Sequence, residues 1–248
     1  MAHRPNYILP VAYNMAGYDP ALSQRLFDDP SLTAEDVEVR FQISLKLPLL
    51  ANILDRNVDL YAAYTSQSFW QLYSSGGSAP FRETSYEPEA WLQFHPEWNV
   101  FGFTNTITAL GVNHQSNGRG GVLSRSWNRL FATVVLEKGN LALSVSPWYR
   151  LPKVEDIDYN SDITDYMGHY ELRAVYRWQD HVLQVMSRNN LESGFSRGAL
   201  EVTWSFPLWG YPYLKGYARY FSGYGENLID YNNYVQTIGI GFALTDWL

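Results

Sequence analysis

The chain contains no cysteine, few charged residues and no long apolar run. The lack of cysteine among its 248 residues excludes disulfides and thiolate metal sites, and fits an exported protein that avoids stray oxidation. No window approaches the roughly 18 uninterrupted apolar residues of a membrane-spanning helix. Charged residues make up only 17%, and the net charge of −7 gives no electrostatic reason to bind nucleic acid. We therefore expect no nucleic-acid partner.

Aromatic residues, by contrast, are abundant. They make up 16% of the chain, with 19 tyrosines and 9 tryptophans, more than an ordinary soluble core needs. Both side chains combine an apolar ring with a polar group, so they concentrate where hydrocarbon meets lipid headgroups. The N-terminal sequence MAHRPNYILP lacks the basic-then-apolar layout of a secretory signal, and the composition favours a processed chain.

Hydrophobicity alternates with a period of two residues. The segment DVEVRFQISLKL, which starts at Asp36, has apolar residues at every second position and polar residues between them. Because successive side chains of a strand face opposite sides, this pattern predicts a strand with one apolar and one polar face. The same alternation recurs in six further segments, which begin near Val58, Tyr86, Leu141, Tyr170, Leu200 and Ile238.

Short turns alternate with long polar stretches between these strands. HPEWN, EKGN, WQD and PLWGYP are short, whereas NHQSNGRGGVLSR and SGYGENLIDYNN are longer and polar. This asymmetry is typical of outer-membrane barrels. We predict an all-β fold: a single transmembrane antiparallel β-barrel of about twelve strands over residues 1–248. Its N-terminal ~35 residues would hold a loop and a weak first strand, Tyr7–Tyr13, which Pro10 interrupts.

The strands of a soluble β-sandwich would alternate in the same way. The polar faces here carry both Glu and Arg or Lys on strand after strand, as in Glu38, Arg40 and Lys46. A sandwich wets its polar face and does not need such mixed charges, whereas they suit an ion-paired barrel lumen. The pattern favours the membrane barrel, and the ion pairs argue against an open pore.

The stretch GVNHQSNGRGGVLSRSWNRL joins two predicted strands, Phe101–Asn113 and Ser126–Glu137. Within it, His114 and Ser116 share the parity of the apolar residues that precede them. Asn128 shares the parity of the apolar residues that follow it. All three side chains are therefore predicted to point outward, toward lipid.

Polar side chains that face hydrocarbon lose their hydration, and an exposed polar trio has no interaction with lipid that offsets this desolvation free energy. A lone His near a Ser in a loop is more often without function than catalytic. Here, however, a third group is present. A serine hydroxyl becomes a nucleophile when a neutral imidazole takes its proton and a third group fixes the imidazole tautomer. The side-chain oxygen of an asparagine can fix that tautomer, although it carries no negative charge. We interpret His114, Ser116 and Asn128 as a catalytic trio.

The motifs HQSNGR and SRSWNRL, with PFRETSYEP upstream and SGYGENLIDYN downstream, resemble the outer-membrane phospholipase A family of Gram-negative bacteria. The resemblance covers nearly the whole chain. It implies a twelve-stranded outer-membrane barrel whose active site faces the outer leaflet. It also implies a phospholipase A1/A2, a carboxylic ester hydrolase that cleaves phospholipid and lysophospholipid acyl esters, requires Ca²⁺ and is active as a homodimer. In it Ser116 would be the nucleophile, His114 the base and Asn128 the orienting residue.

The resemblance also implies roles for the residues around the trio. The backbone amide of Gly118 would serve in the oxyanion hole. The calcium ion would be bound by the Arg119 carbonyl and the Ser124 hydroxyl of one subunit and by the Ser78 carbonyl of the other. Carbonyl, hydroxyl and water oxygens are hard ligands that suit calcium. The alternative is a transport or structural barrel in which these residues have no catalytic role.

Overall fold

The computed structural model describes residues 3–27, 32–53, 57–74, 80–153 and 157–246. Within these residues the elements are β1 (Asn6–Asn14), α1 (Pro20–Phe27), β2 (Val37–Leu50), β3 (Val58–Trp70), β4 (Phe81–Phe94), β5 (Asn99–Val100), β6 (Phe103–Ser116), β7 (Ser126–Lys138), β8 (Leu141–Leu151), α2 (Ile163–Met167), β9 (Tyr170–Trp178), β10 (His181–Asn189), β11 (Gly198–Leu208), β12 (Tyr211–Gly223) and β13 (Val235–Thr245). No helix in the described ranges is long and apolar enough to cross a bilayer.

Twelve long strands form a closed antiparallel barrel. Each long strand pairs with its neighbours in the chain, β1 pairs with β13, and β4 pairs with β6 across the two-residue strand β5. Closure leaves no open sheet edge, which a strand in hydrocarbon could not tolerate because lipid offers no hydrogen-bond partners. The predicted barrel and its strand number are confirmed.

The apolar side of the strands faces outward. In β13, Ile238, Ile240 and Leu244 are 52%, 58% and 71% exposed, whereas Ala243, on the other face, is 1% exposed. Strand β2 shows the same arrangement, with the charged Glu38 and Arg40 buried on the lumen side and the apolar Leu45 exposed on the outside. This outward apolar wall is the surface that a bilayer covers.

Pro10 introduces a bulge into β1, as its lack of an amide hydrogen predicts. The register of β1 shifts against both neighbouring strands at this point. The hydroxyl of Tyr73 donates a hydrogen bond of 2.7 Å to the Pro10 carbonyl. Opposite the bulge, Gly241 approaches so closely that an added Cβ would lie 2.1 Å from the Ile8 carbonyl oxygen.

The long connections gather at one end of the barrel, and the loop of residues 224–234 folds into its lumen. Glu226 and Asp230 of this loop are buried. Glu226 pairs with Arg40, and Asp230 pairs with Arg82. Burial raises the pKa of Glu226, but the guanidinium groups of Arg40 and Arg219 outweigh it and hold the pKa below the ordinary value. The loop therefore fills this end of the lumen with ion pairs.

Gly241→Val should hinder closure of the barrel between β1 and β13, because its side chain would overlap the β1 backbone. We expect a loss of about 1–3 kcal/mol of stability, the usual cost of overpacking. Heat-modifiable electrophoretic mobility and denaturant titration in detergent measure it. Gly120→Val is the matched control, since an added Cβ there meets nothing within 4 Å. Equal stability of the two variants would contradict this account of closure.

Candidate active site on the outer barrel wall

Strand β6 extends to Ser116, three residues beyond its predicted end at Asn113. His114 and Ser116 therefore lie on a strand, and the prediction that the strand ends at Asn113 was wrong. The polar composition of this segment is typical of a loop, but its backbone pairs on both sides, with Tyr86 of β4 and with Ser126 of β7. Pairing with neighbouring strands overrides the weak local preference.

His114 and Asn128 face each other across β6 and β7. They are direct cross-strand partners, and His114 Nδ1 lies 2.7 Å from Asn128 Oδ1. Because the amide oxygen only accepts, Nδ1 carries the hydrogen, and a neutral imidazole then has its lone pair on Nε2. Leu110 and Val112, on the same face of β6, are 50% and 52% exposed. The pair therefore lies on the outer wall.

Ser116 lies two residues beyond His114 on the same strand, so their side chains emerge on the same outer face. Its side chain is half-buried. In the described part of the chain His114 bonds Asn128, and no hydrogen bond joins Ser116 to His114. Catalytic hydrogen bonds are often long before substrate binds and shorten in the complex. The three residues thus share one face, with the His–Asn contact formed.

Asn117 shapes the turn that follows Ser116. Its Oδ1 accepts hydrogen bonds from the amides of Arg119 and Arg125 at 3.3 and 3.0 Å, and its Nδ2 donates to the Leu123 carbonyl at 3.0 Å. Gly118 has φ of +65°, and a Cβ there would lie 3.0 Å from the Tyr86 ring. Glycine is suited to this left-handed, crowded position.

The predicted calcium ligands are placed only in part. Arg119 lies in the turn, where its guanidinium donates to the Arg82 carbonyl at 2.9 Å and lies 3.7 Å from the Glu83 carboxylate. Ser124 follows a short 3-10 helix in the same turn. Arg119 and Ser124 thus belong to the connection that leads directly from Ser116 to β7. Ser78 lies outside the described residues.

Sequence reasoning missed the residues that support the trio. Asn117 was not singled out, although an Asn-Gly pair is a strong turn signal. Gln115 was given no role either, but its Oε1 accepts a 2.8 Å hydrogen bond from the indole of the fully buried Trp127. Its inward parity, opposite to that of His114, was the available signal.

The closed barrel, its apolar outer wall and its long loops at one end define an integral outer-membrane β-barrel protein. The same wall carries the hydrogen-bonded pair His114 and Asn128. Comparisons with known proteins identify the family.

The family profile described as Phospholipase A1 matches residues 1–244. Phospholipase A1 of Escherichia coli strain K12 is 43% identical over 209 residues, which cover 84% of this chain and 70% of that protein. The solved structure of the Escherichia coli outer membrane phospholipase A is similar, with a TM-score of 0.91, 37% identity, and coverage of 100% of this chain and 98% of the other. The solved structure of the Salmonella typhi outer membrane phospholipase, a dimer with bound calcium, is also similar. Its TM-score is 0.87 and its sequence identity 37%, and the match covers 99% of this chain and 92% of the other.

The chain belongs to the phospholipase A1 family, as the resemblance of its motifs predicted. Its relatives are outer membrane phospholipases, and the protein is a phospholipase of the bacterial outer membrane.

Asn117→Ala should loosen the turn between β6 and β7, because it removes three hydrogen bonds from a residue that is 5% exposed. We expect a local loss of about 1–3 kcal/mol. Trypsin cleavage after Arg119 and Arg125 should then accelerate roughly tenfold or more, as followed by mass spectrometry in detergent. Asn117→Asp, which keeps both acceptor contacts, should be cleaved more slowly than Asn117→Ala. Unchanged cleavage of Asn117→Ala would show that other contacts hold the turn.

Proposed function

We propose that this protein hydrolyses phospholipid and lysophospholipid acyl esters with Ser116 as nucleophile, His114 as general base and Asn128 as the orienting residue. The observation that carries the proposal is the 2.7 Å contact between His114 Nδ1 and Asn128 Oδ1 on the outer wall. It favours the tautomer in which Nε2 is free to take a proton from Ser116, at a surface that lipid substrates already surround.

In the proposed reaction, Ser116 Oγ attacks the ester carbonyl carbon while its proton passes to His114 Nε2. Asn128 Oδ1 keeps its hydrogen bond to Nδ1 and steadies the imidazolium. That proton then passes to the departing alcohol oxygen as the C–O bond breaks, which leaves an acyl group on Ser116. His114 then deprotonates a water molecule, which attacks this ester. The proton passes from His114 to Ser116 Oγ as the bond between the acyl carbon and Oγ breaks, and the fatty acid is released. A neutral amide stabilises imidazolium less than a carboxylate would.

The turn after Ser116 is the proposed oxyanion site. The Gly118 amide would donate to the carbonyl oxygen as it gains negative charge. The left-handed φ of Gly118 and the three Asn117 hydrogen bonds support this role, because they fix the backbone of the turn before substrate binds. A donor that is already in place need not reorganise during the reaction.

Calcium is the proposed cofactor, and the turn offers donors that suit it. Within the described residues, the Arg119 carbonyl and the Ser124 hydroxyl accept no hydrogen bond, so both oxygens are available. Bound there, calcium would stabilise negative charge on the carbonyl oxygen. We propose that the Ser78 carbonyl of a second copy completes the site, which would make the homodimer the active form. The Salmonella typhi relative, solved as a calcium-bound dimer, supports this assembly.

A transport function, which the barrel fold alone would allow, has less support. The described loop of residues 224–234 and the ion pairs Arg40–Glu226 and Arg82–Asp230 occupy the long-loop end of the lumen. Inside the barrel a cavity of about 500 Å³ is left, lined by charged side chains of both signs. Bilayer conductance would distinguish the two functions, since a transporter conducts and the phospholipase releases fatty acid.

Ser116→Ala should lower calcium-dependent fatty-acid release by at least about 10⁴-fold, because the bond-forming oxygen is lost. Asn128→Ala should lower it less, by about 100-fold, because it changes only the orientation of the base. Release from phospholipid in mixed micelles measures both effects, with heat-modifiable mobility as the test of folding. Ser126→Ala, the cross-strand neighbour of Ser116, is the control and should stay active. Full activity of Ser116→Ala would refute the proposed nucleophile.

Calcium affinity and dimerisation should rise together if the site is shared between two copies. Raising the calcium concentration should shift the sedimentation of the protein in detergent from monomer to dimer. Conversely, a crosslinked dimer should bind calcium more tightly than the monomer, because calcium binding and dimerisation are thermodynamically linked. A fully active, calcium-bound monomer would rule out the shared site but leave Ser116 as nucleophile.

A further inference from the structure

A buried polar pair lies directly behind the His–Asn pair, on the lumen side of the same two strands. Asn113 directly precedes His114 in β6, and Arg129 directly follows Asn128 in β7. Asn113 and Arg129 are cross-strand partners at the next position of the ladder. Arg129 donates to Asn113 Oδ1 from Nη2 at 2.6 Å and from Nε at 3.0 Å. Each strand thus carries one half of an outer pair and one half of an inner pair.

Glu87 of β4 joins the two members of the inner pair. Its Oε1 accepts hydrogen bonds from Asn113 Nδ2 and from Arg129 Nη2, both at 2.7 Å. Glu87 is 6% exposed and Asn113 is 4% exposed. The guanidinium carbon of Arg129 also lies 4.2 Å from the centroid of the Trp127 ring. Arg129 is therefore held by charge on one side and by an aromatic ring on the other.

Arg4 completes the cluster from a distant part of the chain. It precedes β1, yet its Nη1 and Nη2 reach Glu87 Oε2 and Oε1 at 2.6 and 3.1 Å. Its Nη2 also lies 3.0 Å from Glu89, and its backbone amide donates to Ser44 Oγ at 3.2 Å. The segment that leads into β1 thus extends into the lumen and reaches the back of the candidate active site.

Both oxygens of Glu87 are engaged, so its position is fixed relative to three elements: β6, β7 and the segment before β1. Because Asn113 is bonded covalently to His114, and Arg129 to Asn128, a shift of the inner pair moves the outer pair. A hydrogen bond of 2.7 Å between His114 and Asn128 tolerates little such movement. We infer that Glu87, held by Arg4, is a positioning residue that sets the alignment of His114 and Asn128 from inside the barrel.

A matched ion pair elsewhere in the lumen separates positioning from general stability. Glu201 of β11 lies 2.7 Å from Arg219 Nη2 and accepts from Arg219 Nε at 2.8 Å. It resembles the Glu87 cluster in chemistry, but its strands do not carry the trio. Glu201→Gln therefore weakens a carboxylate–guanidinium pair of the same kind and should leave the catalytic alignment unchanged.

The experiment compares Glu87→Gln and Glu201→Gln in the full-length protein, by calcium-dependent hydrolysis of phospholipid micelles. We expect Glu87→Gln to lower kcat by about ten- to a hundredfold with KM nearly unchanged, because small misplacements of catalytic groups reduce the chemical step. The rate at which a sulfonyl fluoride modifies Ser116 should fall by a similar factor. Glu201→Gln should change neither quantity by more than about twofold.

Arg4 provides a second test that leaves the barrel ladder intact, since it precedes β1. Arg4→Ala should lower kcat and the sulfonylation rate in the same direction as Glu87→Gln, and Arg4→Lys should recover part of the loss because it keeps the positive charge. If Glu87→Gln fails to fold, this pair of variants decides the question alone. Equal kcat and sulfonylation rates for the Arg4 variants and the wild type would overturn the inference.

This inference rests on the proposed function, and the two can fail separately. Full activity of Ser116→Ala would refute the proposed nucleophile, and with it the role of Glu87. An inactive Ser116→Ala together with indistinguishable Glu87→Gln and Glu201→Gln variants would refute the positioning role alone.

Discussion

The hydrogen-bond ladder that closes on itself is the constraint on which the rest of the molecule depends. Hydrocarbon offers no partner to a backbone amide or carbonyl, so every strand must be paired on both sides. The pairings of β1 with β13 and of β4 with β6 satisfy this requirement. Once the ladder is closed, each residue is committed to one of two faces, and the location of each side chain follows from its parity.

The two faces of β6 and β7 carry different kinds of residue at the same height. Outside, His114 and Asn128 are bonded to each other among exposed aliphatic side chains. Inside, Asn113 and Arg129 belong to a cluster of charged hydrogen bonds. Because neighbouring residues of a strand face opposite sides, the candidate site faces lipid while the cluster behind it lies in the lumen. There its desolvated charges are paired and rigid.

Parity could be read from the sequence because it is a local property. The strand alternation, the outward direction of His114, Ser116 and Asn128, and the break at Pro10 all followed from neighbouring residues. The extension of β6 to Ser116 could not be predicted, because it depends on pairing with Tyr86, which is far away in the chain. The contact between Arg4 and Glu87 joins residues even further apart, and no local pattern encodes it.

The candidate site lies on the outer wall, and the β12–β13 loop fills one end of the lumen. A substrate that cannot pass through the bore has to arrive sideways, within the plane of the bilayer. Encounters then depend on two-dimensional diffusion and on the mole fraction of a lipid in the surrounding leaflet, not on its concentration in bulk water. If the proposed hydrolysis takes place there, released acyl chains would enter that same leaflet, and each turnover would change the lipid that surrounds the protein.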